Sequence, residues 1–288
     1  MKARTKYLLV ALFAFIVGIA FEYWFATSVW PYRHQTYTWI YALRNHRKPG
    51  EPCETDLVLD RQGFSLGYSY AHKTALWVSY IISDGSVNLN LGSHSNFYAD
   101  QDIPQKYRVQ PEDHVNTGYD KGHLAPSATI DFSPKANRET YMLSNVVFQD
   151  PKLNRQAWSK VEDLEREWTK TKGKLYVVTG PLYSPRPEKV NDIPIPSKFY
   201  KVIYAYNAEK AIGFLFPNEA IATAQIWNYA MSVAKLEKES GLTFFKNLSA
   251  KKQEKLKQTV DIEWWKAGAY KDGVFCKFFL MFCQEEYT

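Results

Sequence analysis

Leu153–Lys170 is the stretch that most narrows the folds open to this chain. Ala157, Val161, Leu164 and Trp168 recur at helical spacing and charged residues fill the other faces, the pattern of a helix with one side on a core. Gly173 ends it. Leu175–Thr179 follows as a short apolar run closed by Gly180-Pro181 and reads as a buried strand, and Met142–Val147 upstream is another strand candidate. Further strands are predicted at Gly63–Tyr70 and Ala75–Ser83, joined at His72-Lys73-Thr74. In the second, Leu76, Val78, Tyr80 and Ile82 alternate with Trp77, Ser79, Ile81 and Ser83, which predicts one well-buried face. Phe199–Tyr206 and Ala211–Phe216 read as strands paired around Asn207–Lys210. Ser133-Pro134 reads as an N-cap with proline at the first helical position, opening a short helix to about Thr140. A helix is expected near Ile221–Ser232, helical pieces within Lys235–Leu256, and a proline-rich extended loop over 183–197. Strands and helices are interspersed with no regular βαβ rhythm and no internal repeat, so the fold class is α+β.

The ends of the chain say something different. Lys2, Arg4 and Lys6 precede an apolar run from Tyr7 to Phe21; Glu22 interrupts it, and Tyr23–Ala26 resume it. A short basic flank followed by an apolar stretch is the pattern of an export signal or an uncleaved membrane anchor, here 1–27. With the aromatic residues added, the stretch approaches the ~20 residues that span a bilayer. The positive charges would keep that end in the cytoplasm, so the rest is expected outside it: periplasmic, extracellular or anchored, with a mitochondrial location as the second expectation. Residues 28–56, with Pro31, Pro49, Gly50 and Pro52 and no sustained period, read as a connector, and the folded part is expected from Leu57. Cys53, Cys276 and Cys283 include no CxxC pair, so a thiolate zinc site is not expected; one bridge or three free thiols both stay open. The 16% aromatic content excludes a disordered chain, and the net charge of +6 is compatible with a polyanionic partner without singling one out.

Hydrolysis of a phosphodiester needs a base for the attacking water, a cation for the charge that builds on phosphorus, and donors that hold the phosphate. His123, preceded by Asp120-Lys121-Gly122, is a candidate base, because a neutral imidazole near pH 7 suits that task. Asn145, Gln149 and Asn154 offer amides for a hydrated cation or phosphate oxygens, although asparagine near a helix start is also ordinary cap chemistry. Glu162 and Arg166 stand four apart on one helix face, either as a surface ion pair or as a carboxylate and a guanidinium aimed at a metal's water shell and a phosphate.

Taken together, these residues carry a resemblance. Asp120-Lys121-Gly122-His123-Leu124-Ala125-Pro126, then Leu143-Ser144-Asn145 with Gln149, then Leu153-Asn154 with Ala157-Trp158, Glu162 and Arg166, is similar to the DNA/RNA non-specific endonucleases. This is the ββα-metal group that includes endonuclease G. Flanking pieces extend the likeness over roughly 57–248, among them Gly67-Tyr68, Gly180-Pro181, Phe199-Tyr200-Lys201 and Pro217-Asn218. The resemblance implies a mainly antiparallel central sheet flanked by helices, with a ββα-metal motif, in an endonuclease domain over 57–288. It implies cleavage of DNA and RNA with little sequence preference and a hydrated Mg2+, for which Mn2+ could substitute. His123 matches the general base, and Asn154 the asparagine that ligates the metal. Glu162 matches the acid that holds metal-bound waters, Asn145 and Gln149 the polar residues that orient the base and the phosphate surroundings, and Arg166 a basic residue at the scissile phosphate. Lys121 would bind phosphate, Asp120 would act as a brace, and a homodimer is left open.

Two departures stand out. Lys121 replaces the family's usual arginine and loses its bidentate fork. The stretch Gly92-Ser93-His94-Ser95-Asn96-Phe97-Tyr98-Ala99-Asp100 has no arginine where the family commonly supplies one, and His94 is the one substitute at hand. Loss of one such donor costs about 10²–10³ in rate. The expectation is a slower enzyme, with a weak or inactive membrane-tethered nucleic-acid-binding homologue as the alternative. A zinc site from His72, His94, His114 and His123 has no recognised ligand spacing behind it.

Overall fold

The computed structural model describes residues 16–21, 24, 45–87, 89 and 96–267. In chain order the strands are β1 Leu57–Asp60, β2 Ser65–Ser69, β3 Thr74–Ile82, β4 Asp120–His123, β5 Val146–Gln149, β6 Leu175–Leu182, β7 Lys189–Val190, β8 Ile193–Pro194, β9 Lys198–Ala205, β10 Lys210–Pro217 and β11 Ala230–Met231. The α-helices are α1 Pro134–Thr140, α2 Pro151–Leu153, α3 Ser159–Lys172, α4 Val233–Ser240, α5 Ala250–Gln258 and α6 Ile262–Lys266. Seven strands form one sheet in the order β1-β2-β3-β6-β9-β10-β11. Every pairing in it is antiparallel, so the expected mixed α+β fold around an antiparallel sheet is the one observed.

The alternation in β3 is buried on both faces, not one. Val78, Tyr80 and Ile82 join a core that includes Trp158, Val161 and Trp168 of the long helical run. Trp77 and Ile81 join a second core closed by Val233, Leu236, Phe244 and Phe245. The sheet is therefore the middle of three layers, with large aromatic side chains buried on both faces.

Residues 45–56, the described part of the expected connector, are held by contacts from the far end of the domain. Thr243 N–H donates to Pro52 O at 3.1 Å and Asn247 N–H to Pro49 O at 3.1 Å. His46 Nδ1 accepts from Ile81 N at 3.1 Å. Gly50 has φ +107° and passes so close to Lys246 and Asn247 that a Cβ would lie 3.1 Å from their backbone nitrogens. Cys53 is a free thiol, pushed up to about 11 by burial. Most of 1–27, His94, Cys276 and Cys283 lie outside the described residues. No helix among the described residues is long and apolar enough to cross a membrane.

The site is positioned by a smaller unit. β4 and β5 pair antiparallel with Asp120 opposite Gln149 and His123 opposite Val146. Asp150 ends the ribbon and caps the helix that follows, its side chain accepting from Lys152 N and Leu153 N, with Pro151 at the first helical position. The helical run α2–α3 is interrupted by a π turn over Asn154–Trp158. Strand, strand and helix follow one another directly.

Candidate active site

His123 closes β4 and is half-buried. Its ring lies 5.1 Å from that of Phe97 and meets Tyr141 edge-on at 5.1 Å. Burial pulls the imidazole down to about 4, so it is neutral at pH 7, and Nε2 has no hydrogen-bond partner. Its carbonyl oxygen accepts from the Trp158 indole at 3.3 Å. Lys121 is two residues back and shares its side of the strand; the ammonium lies 5.3 Å from the Phe97 ring centre.

Asp120 ties the ribbon to the helix. Its Oδ2 accepts from Asn154 Nδ2 at 2.9 Å and Arg155 Nε at 2.8 Å, and its Oδ1 from Arg155 Nη2 at 2.6 Å. Burial alone would raise this carboxyl; the bonds from Arg155 and Asn154 outweigh it and hold the group below its ordinary range. A carboxylate can only accept, so the Asn154 NH₂ must face Asp120 and the amide oxygen faces away. Arg155 thus spends its bidentate fork on the Asp120 carboxylate, and the fork that Lys121 lacks is not replaced by it.

The other amides behave differently from what the sequence suggests. Asn145 has no exposed surface. It accepts from Ala125 N at 2.9 Å and donates to Ala125 O at 3.0 Å and Thr140 O at 2.8 Å. It cannot touch a substrate, so its catalytic expectation narrows to holding the turn that follows His123. Gln149 is 1% exposed with both amide atoms unpartnered, which removes it from the surface a nucleic acid could reach. It packs against Gly122, where an added Cβ would lie 2.3 Å from Gln149 Oε1.

Glu162 and Arg166 do not pair as their spacing suggests. Arg166 donates to Asp163 and, at 3.0 Å, to Thr129 Oγ1. Burial pushes the half-buried Glu162 carboxyl up to about 7, with Lys201 pulling the other way. The structure thus ties His123, Asp120 and Asn154 into one connected unit through Trp158 and Asp120, with Glu162 and Arg166 further along the same helix.

Three features escaped the sequence reading. One is the Arg155 fork. Another is a buried set of Tyr80, Glu165 and Lys201, whose one sequence signal is a lysine inside the apolar run Phe199–Tyr206. The third is Arg61, which reaches Asp100 at 2.6 Å beside Ser144 and so supplies a guanidinium to the arginine-free stretch from another part of the chain.

His72 lies against Tyr183, His114 against Phe148 and His123 against Phe97, each at a tilted angle, and no group of three or more His, Cys, Asp or Glu that could hold a metal occurs among the described residues. The Asn154 amide oxygen, turned away from Asp120, is the kind of single oxygen donor that fits a magnesium ion keeping most of its waters.

A family model described as DNA/RNA non-specific endonuclease matches residues 44–251. The chain is 32% identical to a nuclease of Syncephalastrum racemosum over 71% of this chain and 72% of that protein. It is 31% identical to the mitochondrial endonuclease G of Bos taurus, over 70% and 75% respectively. Among solved structures it is similar to a chain in the crystal structure of the EndoG/EndoGI complex, with a TM-score of 0.66 and 30% identity over 72% of this chain and 92% of that one.

Proposed function

The chain belongs to the DNA/RNA non-specific endonuclease family, and from that premise we propose that it hydrolyses phosphodiester bonds of DNA and RNA with His123 as general base and Asn154 as the direct protein ligand of a hydrated Mg2+. The observation that carries this reading is the Asp120 carboxylate, which locks the Asn154 amide to the strand that ends in His123. Base and metal ligand are thereby held as one piece.

The neutral imidazole, with Nε2 unpartnered, takes the proton of the attacking water. When bound, the metal neutralises charge on the phosphate and the leaving oxygen, and Mn2+ can take its place. Glu162 in its ionised form would accept hydrogen bonds from the waters of a bound metal. Arg166, braced by Asp163 and Thr129, faces the scissile phosphate, and Lys121 a neighbouring one. Contacts of this kind read backbone and not bases, which supports the low sequence preference.

The full chain is incubated with plasmid DNA and with RNA, with Mg2+ or with chelator, beside His123→Ala. The expected result is Mg2+-dependent cutting that falls about 10²–10⁴-fold in the variant. No metal-dependent cutting by the wild type would sink the enzyme reading, and unchanged cutting by the variant would sink the base. Tight binding without cutting would favour the weak, nucleic-acid-binding alternative. The basic and apolar N-terminus supports delivery to or across a membrane, and the location of the bovine relative supports mitochondria as the destination. The mass of the mature N-terminus separates a cleaved signal from an anchor.

A further inference from the structure

Lys201 sits in the middle of β9 with no solvent exposure, and so does its partner Glu165 on α3. Lys201 Nζ lies 2.6 Å from Glu165 Oε1, and the Tyr80 hydroxyl donates to Glu165 Oε2 at 2.7 Å. The ammonium is also 4.5 Å from the ring centre of Trp158. That indole is the one whose N–H donates to the His123 carbonyl oxygen at 3.3 Å. A single buried cation therefore touches the central sheet, the helix that carries Glu162, and the side chain that grips the main chain of the base. Stability does not explain it, because apolar residues of similar volume usually replace a buried ion pair at no loss. Its field also acts on Glu162, one turn before Glu165, where it favours the carboxylate.

We propose that Lys201 is a positioning residue for catalysis: by fixing the Trp158 indole and anchoring α3 through Glu165, it holds the His123 main chain at the end of β4. The proposal rests on the reading of His123 as the base. Lys201→Met alone would strand Glu165, so the test uses Tyr80→Phe/Glu165→Leu/Lys201→Met, which leaves no buried polar group without a partner. Cutting of a short fluorogenic DNA in Mg2+ is followed for this variant, for His123→Ala, and for the two combined. Trp158→Phe, which keeps the ring and deletes the indole N–H, is measured beside them.

The triple variant is expected to unfold cooperatively like the wild type and to lose about 10²-fold in kcat at unchanged KM, the size of effect that goes with misplacing a reacting group by about 1 Å. Trp158→Phe loses kcat in the same direction. In the wild type the Trp158 indole proton, assigned by its absence in Trp158→Phe, exchanges slowly; in the triple variant it exchanges fast. On the His123→Ala background the triple change has no further effect. A folded triple variant or a Trp158→Phe enzyme with wild-type kcat overturns the proposal. So does a triple change that lowers the residual His123→Ala rate by the same factor as it lowers the wild type. Wild-type cutting by His123→Ala alone refutes the base assignment, and this proposal with it.

Discussion

Replacing Gly122 by alanine would set a methyl carbon 2.3 Å from Gln149 Oε1, 2.8 Å from its Cβ and 3.1 Å from its Cδ, where ordinary contact starts at 3.4 Å. The overlap with the amide oxygen is about 1 Å, and the 2.8 Å contact to Cβ is one that no rotamer of Gln149 relieves. Gln149 is 1% exposed and fixed opposite Asp120 by the strand pairing, so its side chain has no open direction. Either the β4–β5 ribbon widens or the glutamine is driven out. Overpacking of this kind costs about 1–3 kcal/mol, which for a domain of this size lowers the melting temperature by about 2–12 °C. The second effect is the larger one. His123 is the next residue, and a shift of about 1 Å in a reacting group costs about 10²-fold in rate. Differential scanning calorimetry and cutting of a fluorogenic DNA under saturating Mg2+ measure both. Gln149→Ala in the same chain removes the contacts to Oε1 and Cδ but keeps the one to Cβ, so it should restore part of the loss and not all of it. A Gly122→Ala enzyme with wild-type melting and kcat, or a double variant no better than the single, would refute the claim that space between Gly122 and Gln149 sets the position of the base.

Three further outcomes are expected. Asn145→Ala leaves buried groups of Ala125 and Thr140 without partners; the loss, about 3 kcal/mol or more, is read from urea unfolding, and a change under about 1 kcal/mol would contradict the bracing role. His123 is already neutral above about 4, so the acid limb of the kcat/KM profile belongs to Glu162, which ionises near 7; Glu162→Gln should leave a slow rate without that limb, and an unmoved limb would refute the assignment. Burial holds His114 at about 4, below the ordinary 6.5, so its contribution to stability is complete above 6.5 and is lost as pH falls toward 4. The loss is about 3 kcal/mol, and His114→Phe should unfold less readily between pH 6 and 4 than the wild type; equal acid sensitivity would count against it.

The elements most legible in the sequence are those whose pattern is local. The helix through Val161 and Trp168, the Ser133 cap, and the strands on either side of Asn207–Lys210 all fall within a few residues of where they were expected. What was not legible depends on contacts far along the chain. The 45–56 segment has no period of its own and is held by residues near 245. The expected helix over 221–232 is a 3-10 segment, Thr223–Tyr229, running into β11. The π turn at Asn154 leaves no mark in helical spacing, since Ala157 and Val161 are apolar in either geometry. The site shows the same division. His123 and Asn154 could be picked out by residue type and order, whereas the choice of Asp163 over Glu162 as the partner of Arg166 depends on rotamers. Likewise, nothing in the helix marks Glu165 off from its charged neighbours; it becomes special because β9 delivers Lys201 beneath it.

The strap formed by 45–53 has a consequence for how the protein is made. Pro49 and Pro52 find their hydrogen-bond partners about 190 residues later, at Asn247 and Thr243. Ribosomes add about 5–20 residues per second, so the first packed segment waits roughly 10–40 s for the last. During that interval the core that Phe244 and Phe245 close on one face of the sheet is incomplete. An enzyme that attacks RNA is thereby still unfinished while most of its length is emerging beside RNA.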